Sequence, residues 1–190
     1  YQTYLSGTEN TGVQGTPYDP GSGIDTVPNQ TWGWRRVTYT GTWSSGGNDN
    51  PSLFSSGGFD PSYDSYASFG TSSTSDSYAM EWKGYIQAPA DGNYNFITES
   101  DDIAMFWIGD GALDPDNVGA ICHSNNGTSL NSNSVTLVSG KWYPIRMRYQ
   151  EWGGAERCQV YFGLAGSSDP LHGMNYWSNN MAWNTGTLGY

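Results

Sequence analysis

The chain has 190 residues, with 18 acidic against 7 basic side chains and a formal net charge of −11. Charged residues make up only 13% of it, whereas an average globular domain carries about 25%. This acidic balance excludes a basic nucleic-acid-binding domain and disfavours anionic membranes as partners.

The composition predicts a single all-β domain over residues 1–190. No stretch approaches the ~18 consecutive apolar residues of a membrane-spanning helix, so no membrane insertion is expected. Strong helix formers are scarce, while 26 Gly, 14 Tyr and 9 Trp suit strands joined by turns. We expect a soluble fragment of a longer secreted chain.

The first part of the chain predicts little regular structure. Tyr1–Leu5 is typical of one short strand, and Gly12–Asn29 is rich in turn residues without apolar periodicity. Trp34–Trp43 alternates and predicts a strand. Ser44–Ser77 is dominated by Ser, Gly, Asp and Asn, so it predicts a long surface loop.

The strand signal strengthens from Tyr78 onward. Apolar and polar residues alternate up to Gln87, and Pro89–Gly92 supplies a turn into a returning strand at Asn93–Glu99. Ile103–Gly109 is continuously apolar, as in a strand buried on both faces. Three further strands are predicted at Ser134–Val138, Trp142–Glu151 and Glu156–Gly163. Their spacing of about ten residues is typical of an antiparallel β-sandwich or barrel with long surface loops.

Residues suited to catalysis are few. Neither His123 nor His172 lies in a nucleophile elbow, and adjacent ligands at Cys122 and His123 would point to opposite faces of a strand. A hydrolase triad and a zinc site are therefore disfavoured, and we expect no enzyme. A glycosidase carboxylate pair stays open because two acids can meet across a cleft. Cys122 and Cys158 are compatible with one disulfide or with two buried thiols.

The stretch from Asp114 to Gly119 begins like a calcium-binding loop, with acids at its first and third positions and Gly at the sixth. Val118 then occupies the fifth position, and Asn125 stands where the loop needs a bidentate Glu. These missing ligands favour an ordinary Asp- and Asn-rich turn.

Asp101 and Asp102 are adjacent acids between two apolar strands. Successive side chains of an extended trans backbone point to opposite faces, so the pair could not grip one ion. A cis peptide would turn both to one side, where a hard cation such as Ca²⁺ suits carboxylate oxygens. From spacing alone, a cation site and an exposed acidic turn both remain open.

A second loop, from Gln150 to Glu156, joins two strong predicted strands. Gln150 would add a side-chain oxygen, and the carbonyls of Trp152 and Gly154 would add main-chain oxygens. Trp152 would stand beside the ion as an aromatic platform, although a packing role is more common for Trp.

The segment from Ala79 to Gly163 resembles the protective-antigen-type (PA14-like) β-barrel domain, including its GLEYA and flocculin adhesin branch. The matching motifs are Trp82-x-Gly84-x-Ile86-x-Ala88-Pro89, Gly92-x-Tyr94-x-Phe96, Ser100-Asp101-Asp102, Phe106-Trp107-Ile108-Gly109-x-Gly111-Ala112-Leu113, Trp142-Tyr143-Pro144-Ile145-Arg146 and Tyr149-x-x-x-Gly153-Gly154-Ala155.

The resemblance implies a calcium-dependent lectin module of an extracellular adhesin. Lectin members hold Ca²⁺ between a cis-linked Asp pair and a second loop, and the ion binds vicinal sugar hydroxyls directly. On that resemblance the metal ligands are Asp101, Asp102, Gln150 and the carbonyls of Trp152 and Gly154, and Glu151 and Gly153 join these residues in contacting the sugar. Trp43 and Trp177 are more distant candidates for stacking on a sugar ring.

The expected partners are cell-surface glycans or monosaccharides. The domain is expected to be monomeric and to gain avidity from many copies of its parent protein, because each exposed site binds one sugar weakly. Protonation of the paired acids below about pH 4–5 should release the ion. The alternative is a non-lectin interaction or spacer module of a secreted enzyme or surface structure, in which the acid pair only orders a loop.

Overall fold

The computed structural model describes residues 19–41, 53–54, 59–64, 68–70, 76–116, 118–125, 130–131, 134–165, 172–173 and 181–184. Their strands are β1 (Gln30–Trp32), β2 (Trp34–Thr40), β3 (Phe59–Asp64), β4 (Ser68–Gly70), β5 (Tyr78–Gln87), β6 (Gly92–Asp101), β7 (Ile103–Ile108), β8 (Cys122–Asn125), β9 (Leu130–Asn131), β10 (Val135–Leu137), β11 (Trp142–Glu151), β12 (Arg157–Leu164), β13 (His172–Gly173) and β14 (Met181–Asn184). One helical turn, α1 (Asp110–Leu113), follows β7.

The strands form two antiparallel sheets. Among the described residues, the larger sheet has eight strands in the order β1-β14-β5-β11-β7-β8, with β2 beside β5 and β3 beside β2. In the same part of the chain, the smaller sheet has six strands in the order β10-β6-β12-β13, with β4 beside β12 and β9 beside β6. The all-β sandwich prediction is confirmed, and the domain limits of 1–190 stay a prediction.

The core lies between the two sheets and is rich in aromatic side chains. Phe96 from β6 stacks on Phe106 from β7 at 5.3 Å between ring centroids and on Phe162 from β12 at 5.4 Å. Trp34 and Trp82 are also fully buried in this cluster. Alternation along each strand places these side chains on the inner face, so burial of large rings holds the sheets together.

The outer face of the eight-stranded sheet buries charge. Glu81 accepts from Arg148 Nε at 2.8 Å and from Arg146 Nη1 at 3.1 Å, while Lys83 Nζ lies 3.2 Å from its other oxygen. Arg148 Nη1 lies 3.0 Å from Asp116 Oδ1. The buried carboxylate of Glu81 therefore pairs with three basic side chains on the neighbouring strands β5 and β11.

The strongest predicted strands are confirmed within two residues at each end. Ile103–Ile108 is buried along its whole length, as its apolar run predicts. The turn at Pro89–Gly92 joins β5 to β6, and residues 19–29 are largely irregular apart from a bridge between Ile24 and Trp142. The strand predicted at Trp34–Trp43 is described up to Thr40.

The prediction of one long loop over Ser44–Ser77 is wrong in part. Within it, β3 pairs with β2 and β4 pairs with β12, because a neighbouring strand supplies hydrogen bonds that composition does not reveal. The strand predicted at Tyr1–Leu5 lies outside the described residues. Both cysteines are buried thiols that form no disulfide, so the thiol alternative holds. Within the described residues, no helix has the length and apolar character needed to cross a membrane.

Candidate functional site

Two connections pass from one sheet to the other at the same end of the sandwich. The first crossing is Asp101–Asp102, which joins β6 of the smaller sheet to β7 of the larger. The second crossing is residues 152–156, which joins β11 of the larger sheet to β12 of the smaller. Asp101 pairs with Arg157 and Ile103 pairs with Gln150, so register places the crossings side by side.

The peptide bond between Asp101 and Asp102 is cis, as the sequence analysis expects of paired ligands. Both main-chain carbonyl oxygens of the pair lie within hydrogen-bond distance of a buried hydroxyl. The Tyr149 hydroxyl lies 2.5 Å from Asp101 O, and Ser100 Oγ donates to Asp102 O at 2.9 Å. Ser100 Oγ also lies 2.6 Å from Ser124 Oγ on β8. The backbone of the first crossing is therefore fixed by buried hydroxyls.

A direct hydrogen bond joins the two crossings. The backbone N–H of Trp152 donates to Asp102 Oδ2 at 2.7 Å. Asp102 is buried, and burial raises the pKa of its carboxyl. The neighbouring Asp101 raises this pKa further, whereas the Trp152 N–H partly opposes the rise. A positive partner would therefore stabilise the ionised form of Asp102.

Gln150 carries an unsatisfied amide beside the first crossing. Its side chain is fully buried, and neither Oε1 nor Nε2 has a hydrogen-bond partner among the described residues. It follows Tyr149, whose ring is in the core, so alternation places it on the outer face of β11, opposite Ile103. A buried polar group without a partner costs about 1–3 kcal/mol. A bound partner would therefore stabilise the Gln150 amide, and the role of Gln150 as a metal ligand stays a prediction.

Glu151 has both carboxylate oxygens in hydrogen bonds within the protein. Gly153 N–H donates to Oε1 at 2.7 Å, and the Tyr149 hydroxyl lies 2.6 Å from Oε2. Burial raises the pKa of Glu151, the Tyr149 and Gly153 hydrogen bonds oppose the rise, and Asp102 and Asp101 add to it. Burial also raises the pKa of Tyr149 far above its ordinary value, so its hydroxyl keeps its proton.

The rest of the second crossing combines a packed ring with exposed backbone. The partly buried Trp152 ring packs against the cluster of Tyr39, Ala79 and Ile103. Gly153 is exposed, and a Cβ there would lie 3.2 Å from Asp76 Cγ. Gly154 has φ +110°, a backbone conformation that residues with a side chain rarely adopt. Trp43 and Trp177 lie outside the described residues.

The donor set fits a hard cation only if main-chain and amide oxygens take part. In the described ranges, no three His, Cys, Asp or Glu side chains are grouped as a metal site. The carboxylate of Asp101 and the free oxygen of Asp102 are hard oxygen donors, and the unpartnered Gln150 Oε1 is a third. Calcium accepts such mixed sets of carboxylate, amide and carbonyl oxygens. The residues present therefore fit Ca²⁺.

The sequence pattern of the PA14 domain family matches residues 35–173, which include both crossings. The chain belongs to the PA14 family. Solved structures similar to this PA14 domain share its fold at low sequence identity. The epithelial adhesin 9 A domain of Candida glabrata, solved with Galβ1-3GlcNAc, has a TM-score of 0.70 and 15% identity over 90% of this chain and 99% of that chain.

Two further structures are similar. The PA14 domain of the antifreeze protein MpAFP has a TM-score of 0.62 and 17% identity, covering 83% of this chain and 94% of that one. The PA14 sugar-binding domain from an RTX adhesin has a TM-score of 0.55 and 13% identity, covering 76% and 96%. No sequence among the curated proteins matches this PA14 domain.

The remaining candidates do not form a second site in the described residues. Asp116, from the stretch that begins like a calcium loop, is an ion-pair partner of Arg148, and His123 is buried. Sequence reasoning assigned no role to Tyr149 or Ser100, although both stand in the quoted motifs. The alternation that places Tyr149 and Glu151 on one face of β11 was the available signal.

Proposed function

We propose that this PA14 domain is a calcium-dependent carbohydrate-binding module of an extracellular adhesin. The observation that carries the proposal is the meeting of the two crossings, where the Asp102 carboxylate bonds to the second crossing and the buried Gln150 amide has no partner in the described structure. Carboxylate and amide oxygens at one edge of a sandwich suit a cation exposed to a ligand.

The residues that would hold the ion are Asp101, Asp102, Gln150 and the carbonyls of Trp152 and Gly154. Bound Ca²⁺ would supply open coordination positions that accept two vicinal hydroxyls of a sugar in place of water. Trp152 and Gly153 would border this position, and the exposed part of the partly buried Trp152 ring would offer an apolar surface to the sugar. Glu151 would support the site indirectly rather than contact the sugar, because both of its carboxylate oxygens have hydrogen-bond partners within the protein.

The similar structures support a glycan as the ligand. One is an adhesin domain solved with Galβ1-3GlcNAc, and another is described as a sugar-binding domain of an adhesin. An exposed ion makes few contacts with a sugar, so single-site affinity should be weak and adhesion should depend on many copies. We propose cell-surface glycans as partners and no catalytic activity. Turnover of aryl glycosides would contradict the second statement.

The test is a glycan array probed with the purified domain in millimolar calcium and again in excess chelator. We expect binding to glycans with a vicinal diol and its loss in chelator. The Asp102→Asn variant keeps an oxygen that can accept from Trp152 N–H but lacks the charge, so it should fold and lose sugar binding. The matched control is Asp25→Asn, at an exposed ion pair with Lys141 near the start of β11, and should bind normally.

Chelator-insensitive binding, or full binding by Asp102→Asn, would contradict the calcium mechanism. The direct hydrogen bond between the crossings also suits a second function, in which the acid pair only orders a spacer or interaction module. That function predicts that calcium raises the melting temperature while no glycan binds.

A further inference from the structure

The Tyr149 hydroxyl contacts the first crossing and the residue that precedes the second crossing. It lies 2.5 Å from the carbonyl oxygen of Asp101 and 2.6 Å from Glu151 Oε2. The first contact reaches the peptide group that joins the two aspartates. The second reaches the residue that precedes the second crossing and binds Gly153 N–H with its other oxygen.

The tyrosine ring is held rigidly, so the position of its hydroxyl is fixed. Tyr149 is fully buried in the core between the sheets, with its ring centroid 6.1 Å from that of Tyr78. Tyr78 and Glu151 are paired residues of β5 and β11. A ring packed at this depth has one rotamer available, because core side chains interdigitate without voids. Its hydroxyl is therefore a fixed point between the first crossing and the start of the second.

We infer that Tyr149 is a positioning residue for the cation and sugar site, setting the distance between the aspartate pair and the second crossing. This inference rests on the proposed function and concerns a residue that contacts neither ion nor sugar. Removing its hydroxyl would leave the Asp101 carbonyl and Glu151 Oε2 without this shared partner. The aspartates and the second-crossing donors would then sample more relative positions, and fewer of these suit one ion.

The expected loss is large enough to measure. Partners that orient metal ligands typically contribute 10–100-fold in metal affinity. The remaining direct link between the crossings, the Trp152–Asp102 hydrogen bond, should keep the Tyr149→Phe variant at the lower end of that range. We expect about a 10-fold weaker calcium affinity.

The same strand offers a matched control. Tyr143 is also buried in the core, and its hydroxyl accepts from Val138 N–H at 2.9 Å near the start of β11. Tyr143→Phe therefore removes one buried hydroxyl from the opposite end of the strand. A merely structural role for Tyr149 would lower the melting temperature of its variant without a selective loss of calcium affinity.

The experiment measures calcium affinity by isothermal titration calorimetry and the melting temperature in chelator for wild type, Tyr149→Phe and Tyr143→Phe. We expect both variants to lose some melting temperature, whereas only Tyr149→Phe loses calcium affinity and Tyr143→Phe stays within twofold. Equal affinity in Tyr149→Phe and wild type, or equal losses in both variants, would overturn the inference while leaving the proposed function standing.

Two further outcomes are decided in advance. If wild type itself binds no calcium, the proposed function fails and the inference fails with it. If Tyr149→Phe does not fold, Glu151→Asp replaces it, because aspartate keeps the charge but withdraws the carboxylate by one methylene from the Tyr149 hydroxyl and from Gly153 N–H, the two contacts that link Tyr149 to the second crossing. At least fivefold weaker calcium binding by Glu151→Asp supports the inference, and unchanged binding overturns it.

Discussion

Replacing Glu81 with glutamine is expected to destabilise the domain strongly. The side chain is 3% exposed, and its carboxylate is shared by Arg148, Arg146 and Lys83. Removing one partner of a buried ion pair costs about 3–5 kcal/mol because an uncompensated charge stays buried. Arg148 keeps a second bond to Asp116, so we expect the lower end, about 3 kcal/mol. At about 2–4 °C per kcal/mol for a domain of this size, the melting temperature should fall by about 6–12 °C.

The assay is guanidinium unfolding followed by tryptophan fluorescence, with the slope of free energy against denaturant checked for constancy. The matched control is Glu99→Gln. Glu99 pairs with Arg157 on the outer face of the smaller sheet, where the arginine side chain is 44% exposed. Exposed pairs contribute about 0–1 kcal/mol, so this variant should change little. A loss below about 1 kcal/mol in Glu81→Gln, or equal losses in both variants, would refute the assignment of a stabilising buried network.

Two further predictions concern acid and the core. Burial alone would raise the pKa of Glu81, but Arg146, Arg148 and Lys83 outweigh it and hold this pKa below its ordinary value of 4.5. The stabilisation that ionised Glu81 gives the fold is therefore present above pH 4.5 and is lost as the pH falls through the folded pKa. The difference in free energy of unfolding between wild type and Glu81→Gln should accordingly become smaller below pH 4.5. A difference that does not change with pH would contradict this prediction. Phe106→Ala should lower the free energy of unfolding by about 3–5 kcal/mol in the same assay, because Phe106 is fully buried against Phe96 and Trp34. A loss under about 1 kcal/mol would contradict this and would mean that the surrounding side chains fill the cavity.

Strands with a strong apolar pattern could be located from the sequence. Ile103–Ile108 has apolar residues at every position because its two faces are covered by different layers, the core on one side and α1 and residues 118–120 on the other. By contrast, β3 and β4 are poor in apolar residues, and they are strands because β2 and β12 provide pairing partners. Edge pairing depends on the neighbour, so composition alone predicted a loop there.

The aspartate pair was identifiable as a candidate site because two adjacent acids between apolar strands repel each other. What places it opposite the second loop is register. The pairings of Asp101 with Arg157 and of Ile103 with Gln150 join residues about fifty positions apart, and no local pattern encodes them. The contacts of Tyr149 and Ser100 with the aspartate carbonyls depend on the same long-range geometry. Their hydroxyls become informative only when the carbonyls above them are known.

The absence of a disulfide has a practical meaning for anyone who handles the domain. Cys122 and Cys158 are the two cysteines of the chain, and both are buried in the core as thiols. Burial raises the pKa of the Cys158 thiol well above its ordinary value, so the native protein holds it in its unreactive form. The sandwich needs no oxidant to close, and a thiol-specific reagent reaches Cys158 only when the sheets separate. Labelling of Cys158 by such a reagent would therefore report unfolding, because the thiol reacts in unfolded molecules and is inaccessible in folded ones.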